Sequence, residues 1–361
     1  MFIESLDLLS YRNYRELSLK FDQGTNLFYG DNAQGKTNLL EAIYLCGTTK
    51  SHRGSRDREI ISFDQDESHI RMKIRGEGRF HRIDMHLRKN KSKGVAIDGL
   101  PIKKASELYG LISMVFFSPE DLGIIKNGPA GRRSFIDSEL SQCSSIYMRD
   151  LISYHKILNQ RNKLLKDIRE KENLMDTLEI WDQQLVSCGR SLIRERKKFI
   201  RRINPVLEEI HFRLTGGKEK ISLLYEADTE ESLFEEKLFI ARERDLKQQF
   251  TSVGPHRDDY PVFVNDMDLR KYGSQGQQRS AALSLKLSEI EILKQIRKED
   301  PVLLLDDVLS ELDGNRQNYL LKQIDQIQTF ITCTGMEDFA KHSFLCKKVF
   351  HVKEGKIEQN C

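Results

Sequence analysis

No apolar run in this chain comes near the ~20 residues that a spanning helix needs; the longest are Ile112 to Phe117 and Pro301 to Leu305. The opening residues, Met1-Phe2-Ile3-Glu4, lack the basic start and apolar core of a secretory signal. Six cysteines (Cys46, Cys143, Cys188, Cys333, Cys346, Cys361) never fall in C-x-x-C spacing, which argues against a cysteine zinc site and a disulfide framework. They suit a reducing cytoplasm, so a cytoplasmic protein with no membrane partner is expected. A large excess of one sign of charge is also missing. The net value is +3, so any nucleic-acid surface must be a local patch. Internal repeats, low-complexity tracts and aromatic clusters suited to base stacking are absent as well. What is present is a globular composition, 39% hydrophobic and 31% charged, in 361 residues, enough for two domains or one with an insertion.

The most informative segment is Gly30-Asp31-Asn32-Ala33-Gln34-Gly35-Lys36-Thr37, which fits G-x-x-x-x-G-K-[ST] at every fixed position. The apolar run Thr25 to Tyr29 before it reads as a strand, and Asn38 to Ile43 after it reads as a helix. Backbone N–H groups of such a loop and helix start wrap phosphates. Lys36 reaches the β/γ oxygens, and the Thr37 hydroxyl coordinates Mg²⁺. Together they make an ATP or GTP site, with Gly30 to Asn38 as its contacts.

Further along, Phe2–Leu9 and Glu16–Phe21 read as strands around the polar turn Tyr11-Arg12-Asn13-Tyr14. Ser68–Gly76 and Phe80–Arg88 read as a hairpin, and Ile112–Phe117 as a short buried strand. From about Leu140 to Arg169, and again from Leu178 to Val206, apolar residues recur every three or four positions, which is helical. Pro205 should bend the second run. Two helices of about 30 residues would each extend roughly 45 Å, either packed as a helical subdomain or protruding as an antiparallel coiled-coil arm. The loop between them is expected over Glu170–Asp176. From Phe250 the α/β pattern returns, with a helix over Ser274–Ile296 and a buried strand over Val302–Leu305. A helix over Gln317–Ile327, a strand from Thr329 and a closing hairpin around Glu354-Gly355 follow. The implied domains are residues 1–137 and 250–361 as two parts of one ATPase head, with 138–249 as a helical lobe.

Asp306 and Asp307 end the buried strand that starts at Pro301. A carboxylate there, beside a phosphate loop, can hold the Mg²⁺ shell, which assigns Asp306. The next carboxylate, Asp307, is placed to orient or deprotonate the attacking water. Ser274-Gln275-Gly276-Gln277 precedes a long helix and by itself is an N-cap as readily as an anion site. About thirty residues before Asp306, however, it sits where ATP-binding-cassette proteins carry an S-G-G-Q-type signature. That signature contacts the γ-phosphate held by the other subunit. Ser310-Glu311-Leu312-Asp313 is similar to the dimer-interface loop of those proteins.

The whole chain resembles one family. The start, with Leu8 and Tyr11-Arg12-Asn13-Tyr14, looks like the head domains of SMC-type ATPases. Pro119-Glu120-Asp121-Leu122, Gly128-Pro129, Arg132-Arg133, Phe135-Ile136-Asp137, Gly254-Pro255-His256-Arg257-Asp258-Asp259 and Leu303 to Asp313 look like bacterial RecF. The resemblance implies an α/β P-loop ATPase head of ABC/SMC type with mixed sheets, plus the helical lobe and its coiled-coil-like insertion. It implies ATP and Mg²⁺ as cofactors, an ATP-dependent homodimer, and Lys36, Asp307 and Ser274 as catalytic groups. DNA, as duplex or single-strand/duplex junction, and RecO, RecR and RecA are the implied partners in recombinational repair.

Two features depart from a general cassette ATPase. Ser118-Pro119-Glu120-Asp121 stands where a Q-loop Gln belongs, and Thr332 and Thr334 stand where a switch His belongs. A hydroxyl cannot carry a proton as imidazole does near neutral pH, so slow hydrolysis suited to a switch is expected. A transport ATPase would need both missing residues. A full SMC protein or an associated nuclease would need hundreds of residues of arm or a metal-dependent domain. For DNA, Lys50, Arg53, Arg56 and Arg58 concentrate cations in one loop, with Lys89–Lys93 and Arg194–Lys198 as further basic runs.

Overall fold

The computed structural model describes residues 1–76, 78–104, 107–108, 110–168, 174–335 and 346–360. Two compact units divide it, Met1–Asp121 with Leu293–Cys361, and Leu122–Ile292. The cuts fall after Asp121 and before Leu293, whereas the sequence places its boundaries near 137 and 250. In chain order the strands of the first unit begin with β1 (Phe2–Tyr11), β2 (Tyr14–Lys20), β3 (Thr25–Tyr29), β4 (Glu67–Gly76), β5 (Arg79–Arg88), β6 (Lys91–Ile97), β7 (Leu100–Pro101) and β8 (Met114–Phe117). The second unit adds β9 (Ile221–Leu223), β10 (Val262–Val264) and β11 (Met267–Asp268). The first resumes with β12 (Val302–Asp306), β13 (Thr329–Cys333), β14 (Lys348–Lys353) and β15 (Lys356–Asn360).

In the first unit, β2-β1-β4-β5-β6-β7 make an antiparallel sheet. Its strands alternate: Ile70, Met72 and Ile74 on β4 point inward beside Ile83, Met85 and Leu87 on β5. Period-two burial of this kind leaves the other face polar. The second sheet, β15-β14-β3-β13-β12-β8, is parallel except for β15. Every residue of β8, β12 and β13 is buried, as expected of parallel strands covered on both faces. The helix Lys36–Thr48 joins one core with both sheets through Leu39, Leu40, Ile43 and Cys46. Phe28 and Phe350 stack with ring centres 4.8 Å apart, and Phe21 meets Phe330 edge-on at 4.8 Å. Strand order β3-β13-β12 places the ends of β3 and β12 one strand apart, on the carboxyl side of the sheet, where open α/β sheets bind ligands.

The second unit is mostly helical, with helices Pro129–Cys143, Ser145–Ile168 and Met175–Leu214. Ser144 separates the first two, a break with no Gly or Pro to announce it. Most of the expected inter-helix loop, residues 170–173, lies outside the described set. The third helix runs through Pro205 to Leu214. The two long helices do not stand alone as an arm. Leu165, Ile168 and Leu178 cluster with Leu246 from the short helix Arg242–Gln248. Buried Arg161 bonds Asp182 at 2.6 Å, Asp245 at 2.7 Å and Thr251 at 2.9 Å, which ties that helix to both long ones. Within this unit the two long helices are therefore packed against a further helix. No helix among the described residues is long and apolar enough to cross a membrane.

Candidate nucleotide site

The phosphate loop is shaped by two glycines and clamped from two directions. Gly30 has φ 152°, and a Cβ there would lie 2.2 Å from the Val352 carbonyl. Gly35 has φ 116°, and a Cβ would meet the Asn13 amide at 2.5 Å. Only glycine fits at either position. Asn13 Nδ2 donates to the Gln34 carbonyl at 2.9 Å, its Oδ1 accepts from Asn38 at 2.8 Å, and the Tyr14 hydroxyl donates to the Gly35 carbonyl at 3.0 Å. Burial pushes the Tyr14 phenol well up, so it remains a donor. From the other side, the β14–β15 turn sends the Glu354 N–H to Gln34 Oε1 at 2.6 Å and the Gly355 N–H to the Gln34 carbonyl at 3.2 Å. Asp31, Asn32 and Ala33 are left exposed at the crest.

The two ends of the chain meet at Thr37, whose Oγ1 donates to Asp306 Oδ1 at 2.8 Å, 269 residues away. Thr332 completes the arrangement. Its hydroxyl donates to the same Asp306 oxygen at 2.8 Å and accepts the Asp307 N–H at 3.0 Å. Burial raises the Asp306 carboxyl, with the Thr332 and Thr37 hydrogen bonds opposing. Lys36 Nζ donates to the Gly30 and Asp31 carbonyls at 2.6 and 2.8 Å, and burial lowers its pKa against the pull of Asp307. Asp307 takes φ 53°, a left-handed conformation that Asp tolerates. Its Oδ1 is buried and makes no hydrogen bond with the described residues. A buried, unsatisfied carboxylate oxygen is expensive and calls for a ligand, a water or a proton. Oxygen donors on Thr37 and Asp306, an ammonium and a glycine cradle fit a magnesium nucleotide.

Thr332, at the place of a switch His, is buried beside β12, where it donates to Asp306 and accepts the Asp307 N–H. Thr334, the other residue at that place, is exposed. The Ser118–Asp121 segment is a closed turn in which Asp121 Oδ2 accepts the Ser118 N–H at 2.7 Å. Lys50, Arg53, Arg56 and Arg58 are exposed and form no ion pair among the described residues. Their loop is held by Arg12, which bonds Glu41 at 2.9 Å and Ser55 at 2.8 Å. It is held also by His52, which stacks on Phe116 at 3.9 Å and is pulled by burial down to about 4. Arg53 is near enough to lower the Asp306 carboxyl, so it belongs to the nucleotide site's surroundings. The other basic runs are partly neutralised: Arg194 pairs with Glu231, Lys197 with Glu230 and Lys198 with Glu195. In sequence, Asn13 and Tyr14 are visible only as a resemblance, and Thr332 only as a departure.

In the second unit, Ser274 and Gln277 form a capping box at the start of helix Gln275–Arg297. Ser274 Oγ accepts the Gln277 N–H at 3.2 Å, and Gln277 Oε1 accepts the Ser274 N–H at 2.9 Å. Ser274, Gln275 and Gly276 are exposed. The Gly254–Asp259 segment is structural apart from exposed Arg257: Arg132 holds Asp259 at 2.7 Å, Arg133 donates to the Asp258 carbonyl, and His256 bonds Tyr154.

Residues 2–358 match the RecF/RecN/SMC N terminal domain family. The "DNA replication and repair protein RecF" of Lachnoclostridium phytofermentans is 56% identical, over 99% of this chain and 100% of its own. That of Clostridium perfringens is 44% identical, over 99% and 100%. Among solved structures, "recombination mediator protein RecF-ATP in RecFOR pathway" superposes with a TM-score of 0.93 at 37% identity, covering 100% of this chain and 98% of that one. An SMC head bound to a winged-helix domain of ScpA gives 0.58 at 16% identity, a likeness of fold alone. With a family model matched over residues 2–358 and relatives 44–56% identical over 99% of its length, this chain belongs to the RecF family.

Proposed function

We propose that the protein is a slow, ATP-gated DNA-binding switch that dimerises around two nucleotides during replication and recombinational repair. The observation that carries this reading is the 2.8 Å bond between Thr37 and Asp306, which joins the phosphate loop to the aspartate strand. Bound magnesium nucleotide supplies an electrophilic γ-phosphoryl group and a cation to offset its charge. Thr37 and Asp306 would hold the cation, Lys36 would neutralise the β/γ oxygens, and Asp307 would accept the proton of the water that displaces ADP from the γ-phosphoryl group. Strand β13 carries no imidazole beside the aspartates, which favours slow turnover. Similar solved structures are named for the RecFOR pathway, so proteins of the RecO and RecR type are the partners to test, with RecA loading as the outcome.

Exposed Ser274–Gly276 is read as the surface offered to the nucleotide of a second subunit. Ser274→Arg should then leave ATP binding by the monomer unchanged while raising the dimer dissociation constant in ATP by at least about a hundredfold, roughly 3 kcal/mol. Sedimentation velocity with a slowly hydrolysed ATP analogue reads this directly. An ATP-dependent dimer of normal strength in Ser274→Arg would mean that the signature does not serve a partner.

DNA is assigned to the basic loop after helix Lys36–Thr48. Because Arg53 lies close to Asp306, the clean variant is Arg56→Ala with Arg58→Ala. Duplex affinity in ATP should fall, and the slope of log K against log salt should flatten by about 0.9 for each phosphate no longer neutralised. ATP affinity without DNA should stay the same. A salt titration indistinguishable from the parent would move the DNA surface elsewhere.

A further inference from the structure

Away from the nucleotide, the polar face of the antiparallel sheet carries a group of side chains with coordination chemistry. His69 on β4 and His86 on β5 stand directly opposite each other in the ladder. Their rings stack with centres 4.1 Å apart and an interplanar angle of 19°. Glu67, two residues before His69 and so on the same face, reaches both imidazoles. Its Oε2 lies 2.8 Å from His86 Nε2 and its Oε1 3.8 Å from His69 Nε2. One ligand atom from each of the three falls within 4.8 Å of the others. All three side chains are accessible, at 57%, 46% and 35% exposure for Glu67, His69 and His86.

We propose that Glu67, His69 and His86 form a surface site for a divalent transition metal, with Zn²⁺ as the ion it suits best. Two borderline imidazole nitrogens with one hard carboxylate oxygen suit zinc, nickel or copper rather than Mg²⁺, which prefers six hard oxygens. In a tetrahedral zinc site the donor atoms lie about 3.3 Å apart, so small side-chain rotations bring the present spacing to that value. The sheet does the positioning: residues opposite in an antiparallel pair are fixed within about 5.5 Å, so ordering the ligands costs little backbone entropy. On the far side of His86 the ladder partner is Gly94, whose lack of a side chain leaves the ring's flank open. His69 and His86 line a concavity of about 820 Å³ together with Asp7, Glu16, Ser18, Arg71 and Asp84. A metal here would cross-link β4 and β5 and present an open position on the polar face of the sheet.

The test is calorimetric titration of the full chain with zinc chloride alone, without nucleotide and with excess Mg²⁺ to occupy oxygen-only sites. One equivalent should bind, and His69→Ala or His86→Ala should each weaken binding by about 10- to 100-fold. Both substitutions are on the exposed face, and unchanged melting without metal confirms that the fold persists. Cobalt(II) replaces zinc to separate this site from the cysteine thiols, which among the described residues are Cys46, Cys143, Cys188, Cys333 and Cys346. The cobalt form should give visible ligand-field bands without a thiolate charge-transfer band. A thiolate band at one equivalent, no zinc binding by the parent chain, or unchanged affinity in the double variant His69→Ala/His86→Ala would each overturn the assignment.

Discussion

Asp307→Asn should bind ATP with parental affinity, hydrolyse it about 10²- to 10⁴-fold more slowly, and remain locked in the ATP-bound dimer. The substitution is nearly isosteric, and Asn tolerates the left-handed backbone that Asp307 adopts at φ 53°. The backbone anchor is untouched, because Thr332 Oγ1 accepts the N–H of residue 307 rather than bonding its side chain. What disappears is the negative charge and basicity of an oxygen, Oδ1, that is buried without a hydrogen bond to the described residues. In the proposed mechanism this oxygen would take the proton of the attacking water, whereas Asp306 Oδ1 already accepts from Thr37 and Thr332. Asp306→Asn should accordingly behave differently and weaken Mg²⁺-dependent ATP binding itself. Single-turnover quench kinetics, with ATP titration alongside, separate the two. A hydrolysis rate in Asp307→Asn within about threefold of the parent would remove this carboxylate from proton transfer.

The parts of this site legible in sequence are those in which chemistry is encoded by neighbours. Gly30 to Thr37 declares itself because backbone shape, charge and hydroxyl sit within eight consecutive residues, and Val302 to Asp307 because a buried strand there ends in two acids. The loop's clamps are harder to read. Asn13, Tyr14 and Glu354 act on Gln34 and Gly35 across long stretches of chain, and no local pattern states that pairing. Thr332 reads in sequence only as a substitute for histidine, since its contacts with Asp306 and Asp307 depend on β12 and β13 being adjacent. Among elements, β9, β10 and β11 are two or three residues long, too short to express a period of two. Pro205 sits inside a helix that continues for nine more residues to Leu214, because tertiary packing overrides the local penalty. The histidine pair at 69 and 86 is invisible until the register of β4 and β5 is known.

Arg196→Ala should destabilise the helical unit by about 3–5 kcal/mol at neutral pH, more than any exposed cation nearby. In sequence Arg196 belongs to a basic run offered for DNA; in the structure it is 2% exposed. Its guanidinium joins helix Met175–Leu214 to helix Pro129–Cys143 through Asp137 at 2.7 Å. The other end reaches the Gly254–Asp259 segment, through the Pro255 carbonyl at 2.6 Å and Asp258 Oδ2 at 2.7 Å. Tyr147 adds a contact at 3.0 Å. Truncation leaves the Asp258 carboxylate buried with only the Tyr225 hydroxyl and the Asp228 N–H as partners. Burial already raises Asp258 above the ordinary carboxylate value, against the pull of Arg196, so removing Arg196 raises it further. A carboxyl whose folded pKa exceeds its unfolded one binds more protons when folded, and stability then falls as pH rises through that window. The deficit of Arg196→Ala should therefore be larger at pH 7.5 than at pH 5. The chain's one tryptophan, Trp181, lies on the same helix, so its fluorescence in urea reports this unit. Arg194→Ala, half exposed, should change stability by no more than about 0.5 kcal/mol. A deficit below about 1 kcal/mol in Arg196→Ala, or one that grows on acidification, would show that the two aspartates do not depend on this guanidinium.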